Sequence, residues 1–233
     1  IAFTGDYSGL IAELMGKKNG VSGRVGGSQH LCAHNFYSNG ILGGITPVAA
    51  GIALANKLKR NQHIGVVFIG DGTLGEGVLY EVLNIISKWE IPLLIVLENN
   101  HYAQSTSQSL TLAGDILTRP KAFGIQTFES STRFYDDLFK EAKKSIDFVR
   151  DNNKPAFHLV DTQRLAPHSK GDDTRDKQEI NELRQKDPII LFSKESPEQY
   201  SRIVSKIEKQ IKQVIEIAKE ETSQTLEEYV GIT

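Results

Sequence analysis

Asp71 stands between two glycines in GDGTLGEG (residues 70–77), just after the apolar run VVFI and just before LYEVLNIISKW. A carboxylate at the tip of a strand, on backbone that glycine lets approach a bulky anion, is equipped to hold a hard cation against a phosphate. The helix that the pattern predicts from near Gly75 adds backbone N–H groups and the positive end of its dipole. Asn100, the second asparagine of ENN, follows 29 residues after Asp71 and ends a second apolar run, IPLLIVL. That interval accommodates a turn, an amphipathic helix, another turn and a strand. A right-handed crossover then returns Asn100 to the sheet edge that carries Asp71. The Asp71 carboxylate, the Asn100 amide oxygen and the backbone carbonyl of Tyr102 leave octahedral positions for two phosphate oxygens and a water. This ligand set suits Mg²⁺ carrying a diphosphate. Gly-Asp-Gly alone also occurs in ordinary turns, and Asn-Asn alone also serves as a cap; the spacing joins the two.

These residues require a sheet with its strand tips aligned. IGVVFIG and IPLLIVLENN are of strand length and apolar on both faces, which predicts strands in the middle of a parallel sheet. Between them, EGVLYEVLNIISKWE sets Val78, Leu79, Val82, Leu83, Ile85, Ile86 and Trp89 at three-to-four spacing, an amphipathic crossover helix. PVAAGIALANKLK (47–59) predicts a helix opened by proline and closed by basic residues, and the glycine-dense residues 20–46 predict a long loop platform. FGIQTFE with YDDLFKEAKKSIDFVRD, then PAFHLVDTQ with the polar loop LAPHSKGDDTRDK, continue the alternation. The expected architecture is an α/β doubly wound parallel sheet over residues 1–195. A C-terminal helical extension is expected over 196–233, with Ile203, Ile207, Ile211, Val214 and Ala218 forming a narrow apolar stripe.

Composition bounds the partners. The formal net charge of −2 is spread along 233 residues, without the basic field that nucleic-acid binding needs. No apolar run approaches the ~20 residues that span a bilayer, so no membrane anchor is expected. One cysteine, Cys32, fits a reducing compartment. The cytoplasm is the expected location; a mitochondrial matrix or plastid stays open, because the opening residues IAFTGDYSGL read as mid-protein and upstream sequence is expected.

GDG and NN at this interval resemble the signature of thiamine diphosphate enzymes. From about Ile1 to Ser193 the chain resembles the alpha subunit of the heteromeric, decarboxylating first component of 2-oxo acid dehydrogenase complexes, the pyruvate, branched-chain and acetoin type. The markers are GRVGGSQHL (23–31), NFYSNGILGGITPVAAGIALANK (35–57), GDGTLGEG, ENNHYAQST (98–106) and TQRLAPHSKGDDTR (162–175). The resemblance implies a thiamine diphosphate-binding fold. It sets Gly40 and Leu42 against the aminopyrimidine ring, and Gly70, Asp71, Gly72 and Thr73 around the diphosphate. Asp71, Asn100 and the Tyr102 carbonyl would hold Mg²⁺. His168, in PHSKGDD, is the implied catalytic residue, hydrogen-bonding the diphosphate end or donating to the acyl intermediate; on position alone a solvated loop histidine fits equally. Ser169 matches a serine that kinases modify in mitochondrial relatives, and no regulation is assigned to it.

Arg164 and Arg175 bracket this loop and are read as a clamp through Asp172 and Asp173 rather than as phosphate ligands. His30 is read as a turn histidine, and the Tyr102 ring as core. In the family, the glutamate that activates the cofactor sits on a separate pyrimidine-binding domain, for which this chain leaves no room. The implied partner is a beta subunit carrying that domain, in an alpha2beta2 heterotetramer, with a lipoyl-bearing acyltransferase as acceptor. A transketolase-like or acetolactate-like carboligase and a non-catalytic assembly subunit are the alternatives. PHSKGDD and GGSQHL favour the dehydrogenase, and which 2-oxo acid it uses stays open.

Overall fold

The computed structural model describes residues 3–223 and 225. Positions 1, 2, 224 and 226–233, which the expected domain and C-terminal extension include, lie outside the described residues. In chain order come α1 (Tyr7–Leu14), the two-residue strands β1 (Cys32–Ala33) and β2 (Phe36–Tyr37), α2 (Ile45–Leu58) and β3 (Gly65–Gly70). A 3₁₀ turn, Asp71–Gly75, leads into α3 (Gly77–Lys88) and β4 (Leu93–Asn99). Then follow β5 (Tyr102–Ala103), β6 (Thr106–Ser107), α4 (Gln108–Thr111), α5 (Thr118–Ala122), β7 (Gln126–Ser131), α6 (Tyr135–Asn152) and β8 (Ala156–Asp161). Next among the described residues come α7 (Lys177–Gln185), α8 (Pro188–Glu195) and α9 (Pro197–Glu220). None among the described residues is long and apolar enough to cross a membrane.

Packing divides the chain into two compact units, Ile41–Lys194 and the described residues of Ile1–Gly40 with Glu195–Thr233. The larger unit ends at Lys194, near the end of α8, and the first forty residues group with α9.

The larger unit is built on a parallel sheet of order β3-β4-β8-β7. β4 is central, and its run Leu93–Leu97 is buried on both sides. Leu93, Ile95 and Leu97 pack with Leu79, Val82, Leu83 and Ile86 of α3 on one face. On the other face Leu94 and Val96 meet Val149 of α6 and Val160. Each such fully buried side chain contributes about 1.5–3 kcal/mol of hydrophobic stabilisation. Helices on both faces of a parallel sheet are the doubly wound arrangement that the alternation predicts.

Two expectations change here. β3 is not a middle strand among the described residues but an edge one, with Val66 exposed and Phe68 at 62 % exposure. An apolar run records the chemistry of two faces, not what covers them. In α3, likewise, Ile85 and Trp89 are exposed, because the apolar arc is wider than the strip that meets the sheet.

His158 of β8 is buried, with its Nε2 2.8 Å from Ser130 Oγ and its Nδ1 3.1 Å from Ser145 Oγ of α6. Burial pushes its pKa below the ordinary 6.5, although Glu141 pulls the other way. The unfolded chain therefore gains a proton as pH falls through about 6.5 while the folded chain does not, so stability falls with pH until the folded value is reached. The loss is bounded by about 1.4 kcal/mol per pH unit, the slope for a whole proton. Denaturant unfolding at pH 7 and pH 5.5 checks this, with His158→Gln expected to flatten the difference.

In the smaller unit α1 packs against α9. Asp6 caps α1, its Oδ1 accepting the Gly9 N–H at 2.7 Å. Glu13, buried near the end of α1, organises the glycine-dense segment expected as a loop platform. Its Oε2 accepts the N–H of Ser22 (2.9 Å) and Arg24 (2.8 Å), and its Oε1 those of Gly26 (2.7 Å) and Gly27 (3.1 Å). Gly20 makes room for this, since a Cβ there would stand 2.3 Å from Glu13 Oε2 and 2.8 Å from Glu13 Cα. Burial alone would raise the Glu13 pKa; the four backbone N–H groups outweigh it and hold it below the ordinary 4.5. The platform is thus an ordered loop with a small β1–β2 hairpin, built around an internal anion.

α9 carries the expected stripe, Ala218 buried and Ile203, Ile207 and Ile211 exposed.

Candidate active site

Parallel pairing levels the tips of three strands. Gly70 of β3 stands opposite Glu98 of β4, and Asn99 opposite Asp161 of β8. Asp71 therefore emerges beside the ENN block, as the spacing predicts. It is 5 % exposed, and among the described residues no basic side chain pairs with it. A buried carboxylate without a counter-charge is costly unless a cation reaches it. Among the described residues no group of three His, Cys, Asp or Glu side chains surrounds a common point. The donor set is accordingly one carboxylate with neutral oxygens, which fits a hard divalent ion that brings its own phosphate ligands.

The second half of the site is the reversal at 100–108. Asn100 Oδ1 accepts the Tyr102 N–H at 2.9 Å, which turns the chain into the β5–β6 hairpin. β5 packs on the Asp71–Gly75 turn. The approach is close at Gly72, where a Cβ would lie 3.1 Å from Ala103 Cβ and 3.5 Å from Leu42 Cδ2. The Asp71–Gly75 turn thus lies against the β5–β6 hairpin and Leu42. Thr73 is buried and Leu42 half exposed. Gly40 belongs to the smaller unit, against Gln29.

His168 lies on the loop between β8 and α7, 54 % exposed, its Nδ1 2.9 Å from Ser169 Oγ and 3.7 Å from Asp172 Oδ2. It forms no hydrogen bond with Asp71, Asn100 or Tyr102. The loop itself is tied to the hairpin. Arg175 is almost fully buried and grips Asp173 with two hydrogen bonds, Nε to Oδ1 at 2.8 Å and Nη2 to Oδ2 at 2.7 Å. That guanidinium holds the Asp173 carboxyl down to about 2. Arg175 and Arg164 both lie over the Tyr102 ring, 5.2 and 5.1 Å from its centre, and Arg164 also donates to the Gln104 carbonyl. The Tyr102 ring is therefore not core but a seat for two cations. His30 sits in a turn, its backbone N–H donating to the Gly26 carbonyl at 3.0 Å.

Over residues 1–227 the sequence matches the family model described as Dehydrogenase E1 component. The chain belongs to the Dehydrogenase E1 component family. Among its relatives, the pyruvate dehydrogenase E1 component subunit alpha of Rickettsia felis is 33 % identical over 79 % of this chain and 59 % of that protein. The subunit of the same name from Rickettsia typhi is 33 % identical over 91 % of this chain and 68 % of that one. The mitochondrial subunit of Dictyostelium discoideum is 36 % identical over 77 % of this chain and 49 % of its own length. The chain thus spans between about half and two thirds of the length of these relatives. Among solved structures, the transketolases of Leishmania mexicana and Campylobacter jejuni each superpose with a TM-score of 0.52 at 17 % identity. They cover 84 % and 65 % of this family member and 37 % and 24 % of themselves, respectively, and show a shared fold.

Residues that the motif reading passed over join the site. Gln108 donates directly to Asp71 and also to Asn99, and His101 Nε2 meets Asp161 Oδ1 at 2.8 Å. Only the quoted ENN block signalled any of them. Nothing in TSQSLT marks Gln108, because its role depends on where the hairpin folds back.

Proposed function

We propose that this chain is the alpha subunit of a thiamine diphosphate- and Mg²⁺-dependent 2-oxo acid dehydrogenase, working with a beta subunit that carries the activating glutamate. The observation that carries this reading is the buried, uncompensated carboxylate of Asp71 at a strand tip, level with the ENN block. The relatives named as pyruvate dehydrogenase alpha subunits make pyruvate the first substrate to test. When bound, thiamine diphosphate supplies the electron sink for decarboxylation of the 2-oxo acid.

The chain's own residues hold and orient. Asp71, the Asn100 side chain and the Tyr102 carbonyl offer hard oxygens to Mg²⁺. Gly70, Gly72 and Thr73 let backbone approach the diphosphate, and Leu42 supplies an apolar wall. His168 donates a hydrogen bond or a proton near the diphosphate end, and the clamp of Arg164 and Arg175 on Tyr102 keeps its loop by the hairpin. A lipoyl-bearing acyltransferase takes the acyl group from the alpha2beta2 assembly, in the cytoplasm or an organelle matrix.

The test is 2-oxo-acid-dependent dye reduction by the alpha–beta assembly. His168→Ala is expected to lower kcat by about 10²–10⁴-fold while cofactor uptake, read by calorimetry, persists. Turnover of sugar phosphates instead would establish a carboligase. No activity in any pairing would establish an assembly subunit.

A further inference from the structure

The Gln108 side chain touches both strand tips of the site. Its Nε2 lies 2.9 Å from Asp71 Oδ2 and 2.7 Å from Asn99 Oδ1. Both partners are acceptors, since Asn99 Oδ1 also takes the His101 N–H at 3.3 Å. The nitrogen of Gln108 must therefore face them, using both of its hydrogens. The Gln108 backbone N–H closes the same loop by donating to the His101 carbonyl at 2.8 Å. Beyond Asn99 the chain of contacts continues through His101 to Asp161, where His101 Nδ1 stands 3.5 Å from Asn99 Nδ2 and its Nε2 2.8 Å from Asp161 Oδ1. The tips of β3, β4 and β8 are thus linked by hydrogen bonds, with Gln108 as the link to Asp71.

A buried carboxylate rotates freely about its Cβ–Cγ bond unless something fixes one oxygen. Gln108 holds Oδ2, and among the described residues no side-chain hydrogen bond holds Oδ1. Its charge matters as much as its geometry. A glutamate here would bring a second carboxylate within reach of the same point, and added ligand charge raises the affinity of an oxygen site for a divalent ion. A neutral amide keeps the count at one.

We propose that Gln108 is the positioning residue of the metal site: it holds the Asp71 carboxylate in a single orientation before the cation arrives, and its neutrality makes cation retention depend on the diphosphate. This rests on the thiamine diphosphate reading above. It predicts opposite effects for two substitutions of similar size. Gln108→Met removes the donor and frees Asp71. Gln108→Glu keeps the shape, repels Asp71 when no cation is present and adds a ligand when one is.

The experiment measures Mn²⁺ uptake by the native alpha–beta assembly, from the magnetic resonance signal of the free ion, with and without thiamine diphosphate. Wild type is expected to take up Mn²⁺ only with the cofactor present. Gln108→Met is expected to weaken that uptake at least about tenfold, the scale for losing a group that orients a metal ligand. Gln108→Glu is expected to bind Mn²⁺ without cofactor. A purely structural role for Gln108 would lower the melting temperature of both variants and give no cofactor-free uptake. Wild-type uptake by Gln108→Met, or no cofactor-free uptake by Gln108→Glu, overturns the proposal and leaves the functional reading standing. Absence of cofactor-dependent uptake in wild type overturns both. If Gln108→Met does not fold, Gln108→Glu decides alone.

Discussion

Asp71→Asn is expected to reduce Mg²⁺-dependent thiamine diphosphate binding by about a thousandfold, equivalent to about 4 kcal/mol, while leaving the metal-free protein as stable as wild type or more so. The two halves of this expectation have one cause. Asp71 is 5 % exposed, and no basic side chain among the described residues pairs with it. Its charge therefore opposes folding in the absence of a cation and favours binding in its presence. Asparagine keeps the oxygen that Gln108 Nε2 contacts at 2.9 Å and removes the charge. Calorimetric titration with Mg²⁺ and cofactor, alongside denaturant unfolding in a chelator, separates binding from stability. Undiminished cofactor binding would show that Asp71 is not a metal ligand. A large loss of metal-free stability would show that the carboxylate has a structural partner instead.

Glu13→Ala has the largest expected effect on folding. The carboxylate accepts four backbone N–H groups between Ser22 and Gly27, at 2.7 to 3.1 Å. Each donor left unpaired in a buried position costs about 1–3 kcal/mol, and even with partial hydration the sum is expected to reach about 3–5 kcal/mol. Glu13→Gln is not a rescue. Its amide offers one oxygen and sets an NH₂ group against the remaining N–H donors, so two of the four contacts become donor against donor. Because the folded pKa of Glu13 lies below the ordinary 4.5, its contribution is fully present above that pH and is lost as pH falls through the folded value. Urea unfolding at pH 7 and pH 3.5 measures both effects. Equal stability of Glu13→Gln and wild type at pH 7 would show that the loop is held by other contacts.

Much of the site was legible from residue types and intervals alone. The 29-residue interval from Asp71 to Asn100, filled by a strand-length apolar run and a helix of three-to-four periodicity, places both at one sheet edge. The reason is that a parallel crossover has few geometric solutions. The α/β alternation and α9 were legible on the same ground, since local periodicity states which face of each element is apolar. What lay beyond the sequence is whatever depends on neighbours far along the chain. The edge position of β3, the Tyr102 ring under Arg164 and Arg175, Gln108 between Asp71 and Asn99, and Glu13 inside a loop of backbone amides are all of this kind. A polar side chain carries no periodic mark of its partner. Its role is set by which donors and acceptors the fold brings within about 3 Å, and backbone donors such as those of residues 22–27 are the same in every sequence. The sequence by itself determined the order of the elements and which strand tips lie side by side. Tertiary structure decided which side chains hold those tips in place, because hydrogen bonds act over distances that only packing can close.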